Sequence, residues 1–569
     1  MSYRQAKKSL ISKAVLSVLA GCAAGSALPQ ARPDAGQTLR EMERSTPAQP
    51  SPSMPAPPLT TPSEPAATVA PDTTRIGIVK GFKITGVISI PLEELTALVA
   101  PWVYRDLTLA GLKEAAEAIT RLYRERGFPV ARAFIPVQTM HDSVVEIAVL
   151  EGRLGGISLK NSSRLSDTRV QALASQAKQG DAVNGAVLER GLLLLQDTPG
   201  IGAVIAALQP GATVGSTDMV LSVEGGPLVS GSVDVDNAGN RFTGSNRMGA
   251  TVNLNSPFGI GDQLGLRMQV TDEKLLYGRV SYRVPVGANG LMAGVGFSNS
   301  RYQLGGVFEP LDANGTARAA NVFVTYPFIR SRAFNLSGSL SGESKSLEDR
   351  IDSTSSVTDK SLQQLTASLV ASGPFAGGGG YSAAAAVSAG NLDIKTPTAL
   401  LIDDATARSH GSFSKIAYSL SGVMPLAGSW SLLALANGQI ASKNLDSSEK
   451  FSLGGADGVR AYPQGEAIGD DGYLLTAEVR YALPSPGRGI MQVGGFADYG
   501  MVKINHNPFI AGENTRHLSA IGLSFNWVMP NNFLVKASIA RKLGNASATS
   551  DTDRGVRAWI QGVKSFDGF

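Results

Sequence analysis

From about Leu228 to Phe569 the chain is a succession of strand-length segments in which apolar and polar residues alternate, separated by Gly, Asn, Asp and Ser turns. This two-residue period is the tightest constraint on the fold, because successive side chains of a strand point to opposite faces. Ile521, Leu523, Phe525 and Trp527 alternate with Gly522, Ser524 and Asn526, and Phe533, Val535, Ala537 and Ile539 with Leu534, Lys536 and Ser538. In the same way Tyr473, Leu475, Ala477, Val479 and Tyr481 fall on one face, opposite Thr476, Glu478 and Arg480. One face suits lipid and the other water. A soluble sandwich shows the same alternation, so the pattern alone favours a membrane barrel only weakly. No run of about 18 uninterrupted apolar residues follows the N-terminus, so any membrane crossing must use strands. A lysine facing lipid at the midplane costs about 2–4 kcal/mol, which places Lys536 toward a lumen or near an interface. Divided among sixteen antiparallel strands, the region leaves about 21 residues per strand and connection, enough for strands of about 9–11 residues. Other even counts fit as well.

The N-terminus reads as an export signal over residues 1–27, with Arg4, Lys7, Lys8 and Lys13 ahead of the apolar run Ala14 to Ala20. Cys22 is the one cysteine, so neither an internal disulfide framework nor a thiolate metal cluster can form. Leu19, Ala20, Gly21 and Cys22 resemble a lipoprotein lipobox, which makes Cys22 a lipidation candidate; cleavage near Ala27 would discard it instead. Asp34 to Ser45 is expected to form a short helix capped by Asp34, with Leu39 and Met42 on one face. Alone it is too short to be stable and needs a surface to dock on. Residues 46–75 form a Pro-rich linker, with nine prolines between Pro47 and Pro71, extended and semi-rigid enough for the helix to dock at a distance.

Residues 76–154 and 155–226 read as two copies of one small unit, in the order β-α-α-β-β. The first copy has strand Ile78 to Val87, helices Leu92 to Val99 and Leu109 to Arg126, and strands Val130 to Val137 and Ser143 to Leu150. The second has strand Ile157 to Leu159, helices Asp167 to Ala177 and Gly185 to Gln196, and strands Ala203 to Leu208 and Asp218 to Val223. Each copy ends on an acidic-glycine turn, Glu151-Gly152 and Glu224-Gly225. Edge strands of such units offer backbone groups to an added peptide strand; the plain alternative is a passive spacer.

The segments RERGFPVARAFIP, VVEIAVLEGRL and LQDTPGI resemble polypeptide-transport-associated (POTRA) domains. Val235 to Leu264, Tyr282 to Gly287 and the loop from Gly454 to Pro484 resemble the two-partner secretion transporters, the family of haemolysin activators and filamentous-haemagglutinin transporters. The resemblance implies a membrane β-barrel of sixteen antiparallel strands over 228–569, two POTRA domains in the periplasm, and a plug helix at 34–45. It implies an outer-membrane pore that recognises an unfolded exoprotein through that partner's N-terminal secretion domain and exports it without nucleotide hydrolysis. A barrel-assembly factor of the same superfamily is the alternative. Outer-membrane lipids and the barrel-assembly machinery are implied as further partners. In the family an arginine of an inward-folded loop pairs with the aspartate of a Phe-x-Asp-x-Gly strand. Here the loop, within about 454–472, carries Val459, Arg460, Ala461 and Tyr462, and the strand Phe496, Asp498 and Gly500. Ala461 stands where the family has glycine, so strain is expected there if the turn demands positive φ. Phe569 supplies the terminal aromatic residue of barrels delivered to the outer membrane.

Nothing else in the sequence points to chemistry. His141, His410, His506 and His517 lack metal-ligand spacing, and the glycines from Gly377 to Gly380 lack the Lys-Ser/Thr of a phosphate loop. Asp470 and Asp471 are expected to be solvated loop carboxylates. A net charge of +4 over 569 residues makes no basic patch for a nucleic acid. No enzyme activity, cofactor or metal is expected.

Overall fold

The computed structural model describes residues 32–44, 59–60, 74–174, 176, 179–485, 489–529 and 532–568. The export signal with Cys22, most of the Pro-rich linker and Phe569 lie outside the described residues.

Among the described residues, sixteen strands from Val229–Asp236 to Val556–Gly568 close into one antiparallel barrel, each paired with its sequence neighbour. The seam is continuous, running from Val229 opposite Gly568 to Asp236 opposite Gln561. Alternation sorts the side chains as the period requires: Leu475 and Val479 are exposed on the outer wall, whereas Thr476 and Glu478 are buried inside. Lys536 lines an internal cavity together with Arg480 and Glu478. Strand lengths depart from the uniform expectation of about 9–11 residues that a bilayer requires. The seam strand Val229–Asp236 has 8 residues, whereas Ser356–Pro374 has 19. The excess projects the barrel beyond the hydrocarbon layer.

Helix α1 (Ala35–Arg44) lies inside this barrel. Strand β1 (Leu59–Thr60) joins the second of two small α/β modules. In the first module, β2 (Arg75–Val79) pairs with β4 (Arg105–Thr108), while β3 (Gly81–Thr85) runs parallel to β6 (Val144–Leu150), which also pairs with β5 (Arg132–Phe134). Helices α2 (Leu92–Val99) and α3 (Leu109–Glu125) cover the sheet, burying Leu95, Val99, Ile119 and Tyr123 against Ile147 and Val149. The side chain of Thr108 caps α3 by accepting from Gly111 N.

The expected strand Ile78 to Val87 is thus two strands in different sheets, broken at Lys80, whose N–H donates to Ser143 O at 2.8 Å. The expected Val130 to Val137 strand shortens to β5, with Pro129 and Pro136, which lack the donor a ladder needs, on either side. The β4 strand has no counterpart in the expected order. Glu151 ties the module together. Its buried carboxylate accepts from Ile88 N and Ser89 N, both at 2.7 Å, and from Ser89 Oγ and Tyr123 OH, both at 2.8 Å. Burial alone would raise its pKa, but these donors hold it below the usual carboxylate value.

In the second module β7 (Arg153–Asn161), α4 (Asp167–Ala174), α5 (Gly185–Gln196), β8 (Ile201–Pro210) and β9 (Ser216–Gly225) build a sheet of order β1-β8-β9-β7. Here β7 is longer than expected; α4 is described over Asp167–Ala174, Gln176 is outside the helix, and Ala177, where the expected helix ends, lies outside the described residues. The tether strand β1 occupies the edge of β8, with Leu59 opposite Ala206. Helices α4 and α5 dock on barrel strand ends and the turns that join them: Arg169 donates to Pro285 O at 3.1 Å, Arg190 to Pro327 O at 2.7 Å and Asn289 O at 3.4 Å, and Arg330 pairs with Asp197 at 2.6 Å. These turns mark the module-facing end of the barrel. The connections 237–246, 442–470 and 543–555 lie at the opposite end. Among the described residues no helix is long and apolar enough to cross a membrane.

Candidate functional site

Strand pair Phe451–Ser452 and Ile468–Gly469 pinches the 442–470 connection into a hairpin whose tip folds into the barrel. Leu453, Val459, Ala461 and Tyr462 become fully buried against Phe496, Val502 and Leu518 of the wall. The turn brings Arg460 to Asp498, 38 positions away, with Arg460 Nε 2.9 Å from Asp498 Oδ2 and Nη2 2.9 Å from Oδ1. This is the two-pronged geometry that fixes direction as well as distance. Arg460 N donates to the same carboxylate at 3.1 Å, and the guanidinium carbon lies 3.2 Å from the Phe496 ring centroid.

All seven loop and strand residues singled out from the sequence meet here. Val459 and Ala461 pack in the apolar cluster, and Tyr462 donates to Ala546 O at 3.1 Å. Gly500 faces Leu453 so closely that a Cβ there would collide with its Cδ1 and with the Tyr473 carbonyl. Ala461 is outside the positive-φ region and carries no strain of that kind. The positive φ values of this loop fall on Gly455, Gly465 and Ala467.

The surroundings contain partners that sequence reasoning did not single out. Glu478 accepts from Arg460 Nη1 at 3.1 Å, from Arg480 Nε at 2.7 Å and from Ser524 Oγ at 2.8 Å. Thr476 Oγ1 donates to Asp498 at 2.9 Å, and Trp559 Nε1 to Arg460 O at 2.7 Å. The signal for Thr476 and Glu478 was available: both lie on the water-facing side of the strand paired with Asp498, and Thr476 stands opposite it. Asp470 corrects the expectation of a solvated carboxylate. It is fully buried, accepting from Leu445 N at 3.0 Å, His506 N at 2.8 Å and Lys450 Nζ at 2.8 Å. Asp471 accepts from Ala441 N at 2.7 Å and contacts His506 Nδ1 at 2.8 Å. Both shape the loop base. No group of three or more His, Cys, Asp or Glu side chains suited to a metal occurs among the described residues.

The second occupant of the lumen is α1. Asp34 caps it by accepting from Gln37 N at 2.9 Å, and Ser447 Oγ holds the cap at 2.6 Å. Leu39 and Met42, the pair at helical spacing, are buried with Ala35 against Tyr277, Tyr302 and Leu347 of the wall. Polar contacts complete the seat: Ala35 N donates to Asp349 at 2.8 Å, Arg40 to Gln439 at 3.3 Å, and Ser298 Oγ to Glu43 at 3.4 Å. An apolar interface this small, with the rest polar, is compatible with release into water.

The family model described as haemolysin secretion/activation protein ShlB/FhaC/HecB matches residues 215–525, and that of the ShlB-type POTRA domain matches 78–152. Over 479 residues the chain is 27% identical to the heme/hemopexin transporter protein HuxB of Haemophilus influenzae, covering 83% of this chain and 84% of that protein. Over 233 residues it is 30% identical to the outer membrane transporter CdiB of Escherichia coli, covering 40% of this chain and 37% of the relative. The solved structure of CdiB from Escherichia coli shares the fold, with a TM-score of 0.72 at 20% identity, over 94% of this chain and 100% of that one. The first model spans more than half of the sequence, so the protein belongs to the ShlB/FhaC/HecB family of two-partner secretion transporters, which pass an unfolded partner exoprotein across the outer membrane.

Proposed function

We propose that the exoprotein's secretion domain binds as an extended strand along β5 of the first POTRA module, and that the chain then threads a lumen vacated by α1. In this reading Val459, Arg460, Ala461 and Tyr462 form a latch, and Phe496, Asp498 and Gly500 the strand that receives it. As a family member the protein is a passive pore and not an enzyme, its barrel in the outer membrane and its POTRA modules in the periplasm. With no nucleotide chemistry to draw on, net movement comes from the cargo: folding outside depletes the extended chain on the inner side.

One observation carries the choice of β5. Among the described residues β6 is the one strand that pairs with it; at β5 Ala133 N donates to Thr120 Oγ1 of α3 at 3.0 Å, and a groove of about 1340 Å³ runs beside the strand, lined by Leu109, Leu112, Phe134, Pro136 and Val137. The corresponding edge in the second module is already taken by β1. The apolar outer wall, with Val295, Val322 and Leu365 exposed, suits outer-membrane lipid, and delivery by the barrel-assembly machinery through the Phe569 end belongs to the same proposal. Eight residue pairs close the barrel seam.

The test uses full-length protein in detergent. Val137 is fully exposed, so Val137→Asp leaves the core intact while placing a charge in the groove. Capture of the secretion domain is expected to fall about tenfold or more, the factor for desolvating one charge against an apolar partner strand. Undiminished capture would exclude this groove.

A further inference from the structure

We infer that the last outer connection, residues 543–555, is a lid over the pore exit, and that Glu466 is the positioning residue that clasps it to the inward loop. The side chain of Glu466 is fully buried although it stands in the outer connection. Its Oε2 accepts from Thr549 N at 2.8 Å, Ser550 N at 2.7 Å and Ser550 Oγ at 2.8 Å. Its Oε1 accepts from Thr549 Oγ1 at 2.9 Å and from Arg516 Nη1. Four of the five donors belong to one segment 83–84 positions away in sequence. Arg516 grips the same segment, donating to Ser547 O at 2.7 Å and Thr549 Oγ1 at 3.0 Å, and Asp551 bridges Arg241 at 3.1 Å and Arg557 at 3.0 Å. Ala546 and Ala548 meanwhile pack on the apolar cluster around Tyr462. A buried carboxylate with every donor supplied by neighbours is a strong tie while intact and a costly one to half-break.

The residue before it faces the other way. Gly465 has φ +78, and a Cβ there would stand 2.8 Å from Gln37 Nε2 and 3.3 Å from Glu41 Oε1, both on α1. Adjacent residues of the inward loop therefore touch the lumen helix on one side and the outer lid on the other. Departure of α1 removes the support behind Gly465 and loosens the Glu466 clasp. The exit opens in step with the lumen. This goes beyond the transport reading and rests on it only for its purpose.

The experiment places a cysteine at Ala548 in the full-length protein on intact cells and measures its labelling by a membrane-impermeant maleimide. Labelling should accelerate about tenfold or more with Glu466→Gln, the factor for losing one charge-assisted hydrogen bond. Thr549→Ala/Ser550→Ala, which weakens the clasp from the lid side, should do the same, and decides alone if Glu466→Gln fails to insert. A wild-type rate in the inserted variants overturns the clasp. Deleting α1 should also raise the rate; an unchanged rate overturns the coupling. No exoprotein is needed, so these results stand apart from export itself: accelerated lid labelling in the variants of a protein that captures no secretion domain at all would count against the transport reading alone.

Discussion

Arg460→Ala abolishes appearance of the exoprotein outside the cell while the barrel remains inserted and heat-modifiable. The substitution leaves Asp498, whose side chain is fully buried, without the cation that pairs with it, and leaves Glu478 with Arg480 alone. Removing one member of such a buried pair costs about 3–5 kcal/mol, because the remaining charge is uncompensated. That exceeds a hundredfold shift in the docking equilibrium of the loop, at about 1.4 kcal/mol per tenfold. The barrel itself survives, since its strand ladders run without the loop. Arg460→Lys is expected to fall between the two, keeping the charge but losing the fork that reaches both oxygens of Asp498 and Glu478 together. Immunoblots of medium and of outer-membrane fractions check both variants. Export of Arg460→Ala at the wild-type level would refute the latch.

The second large effect concerns α1. Deleting residues 34–45 raises single-channel conductance in planar bilayers severalfold, because an α-helix fills a cylinder about 10–12 Å across, side chains included. Leu39→Asp/Met42→Asp is a gentler version, charging the buried face while retaining the tether. It should give channels that flicker between the two levels rather than stay open, since the polar contacts of Asp34, Ala35 and Glu43 persist. Conductance unchanged by the deletion would make the helix a leader and not a plug.

These two features were the most legible in the sequence, for different physical reasons. The arginine and aspartate sit in local motifs, and the period of two put Asp498 on the same lumen face as Phe496 and Gly500. Helix α1 announced itself by its Asp34 cap and by Leu39 and Met42 on one face. Its docking partners were invisible, because Asp349, Gln439 and Ser447 lie 314 to 413 positions beyond their helix contacts. Glu466 shows the same limit: four of its five donors come from a Ser/Thr-rich turn that reads locally as an ordinary surface loop. Asp470 was misread because neighbouring carboxylates in a glycine-rich stretch usually face water, whereas here Lys450 and two backbone amides enclose it. The split between β2 and β3 was missed because both halves share the apolar alternation and only pairing partners separate them.

Whether cargo travels inside the barrel is decided by photocrosslinking during export. Ser298 faces the lumen beneath α1, where its hydroxyl meets Glu43, whereas Val295 on the same strand is 53% exposed on the outer wall. A photoreactive residue at position 298 is expected to capture the exoprotein in transit, and one at 295 to capture none. Adducts from 295 with none from 298 would contradict passage through the lumen.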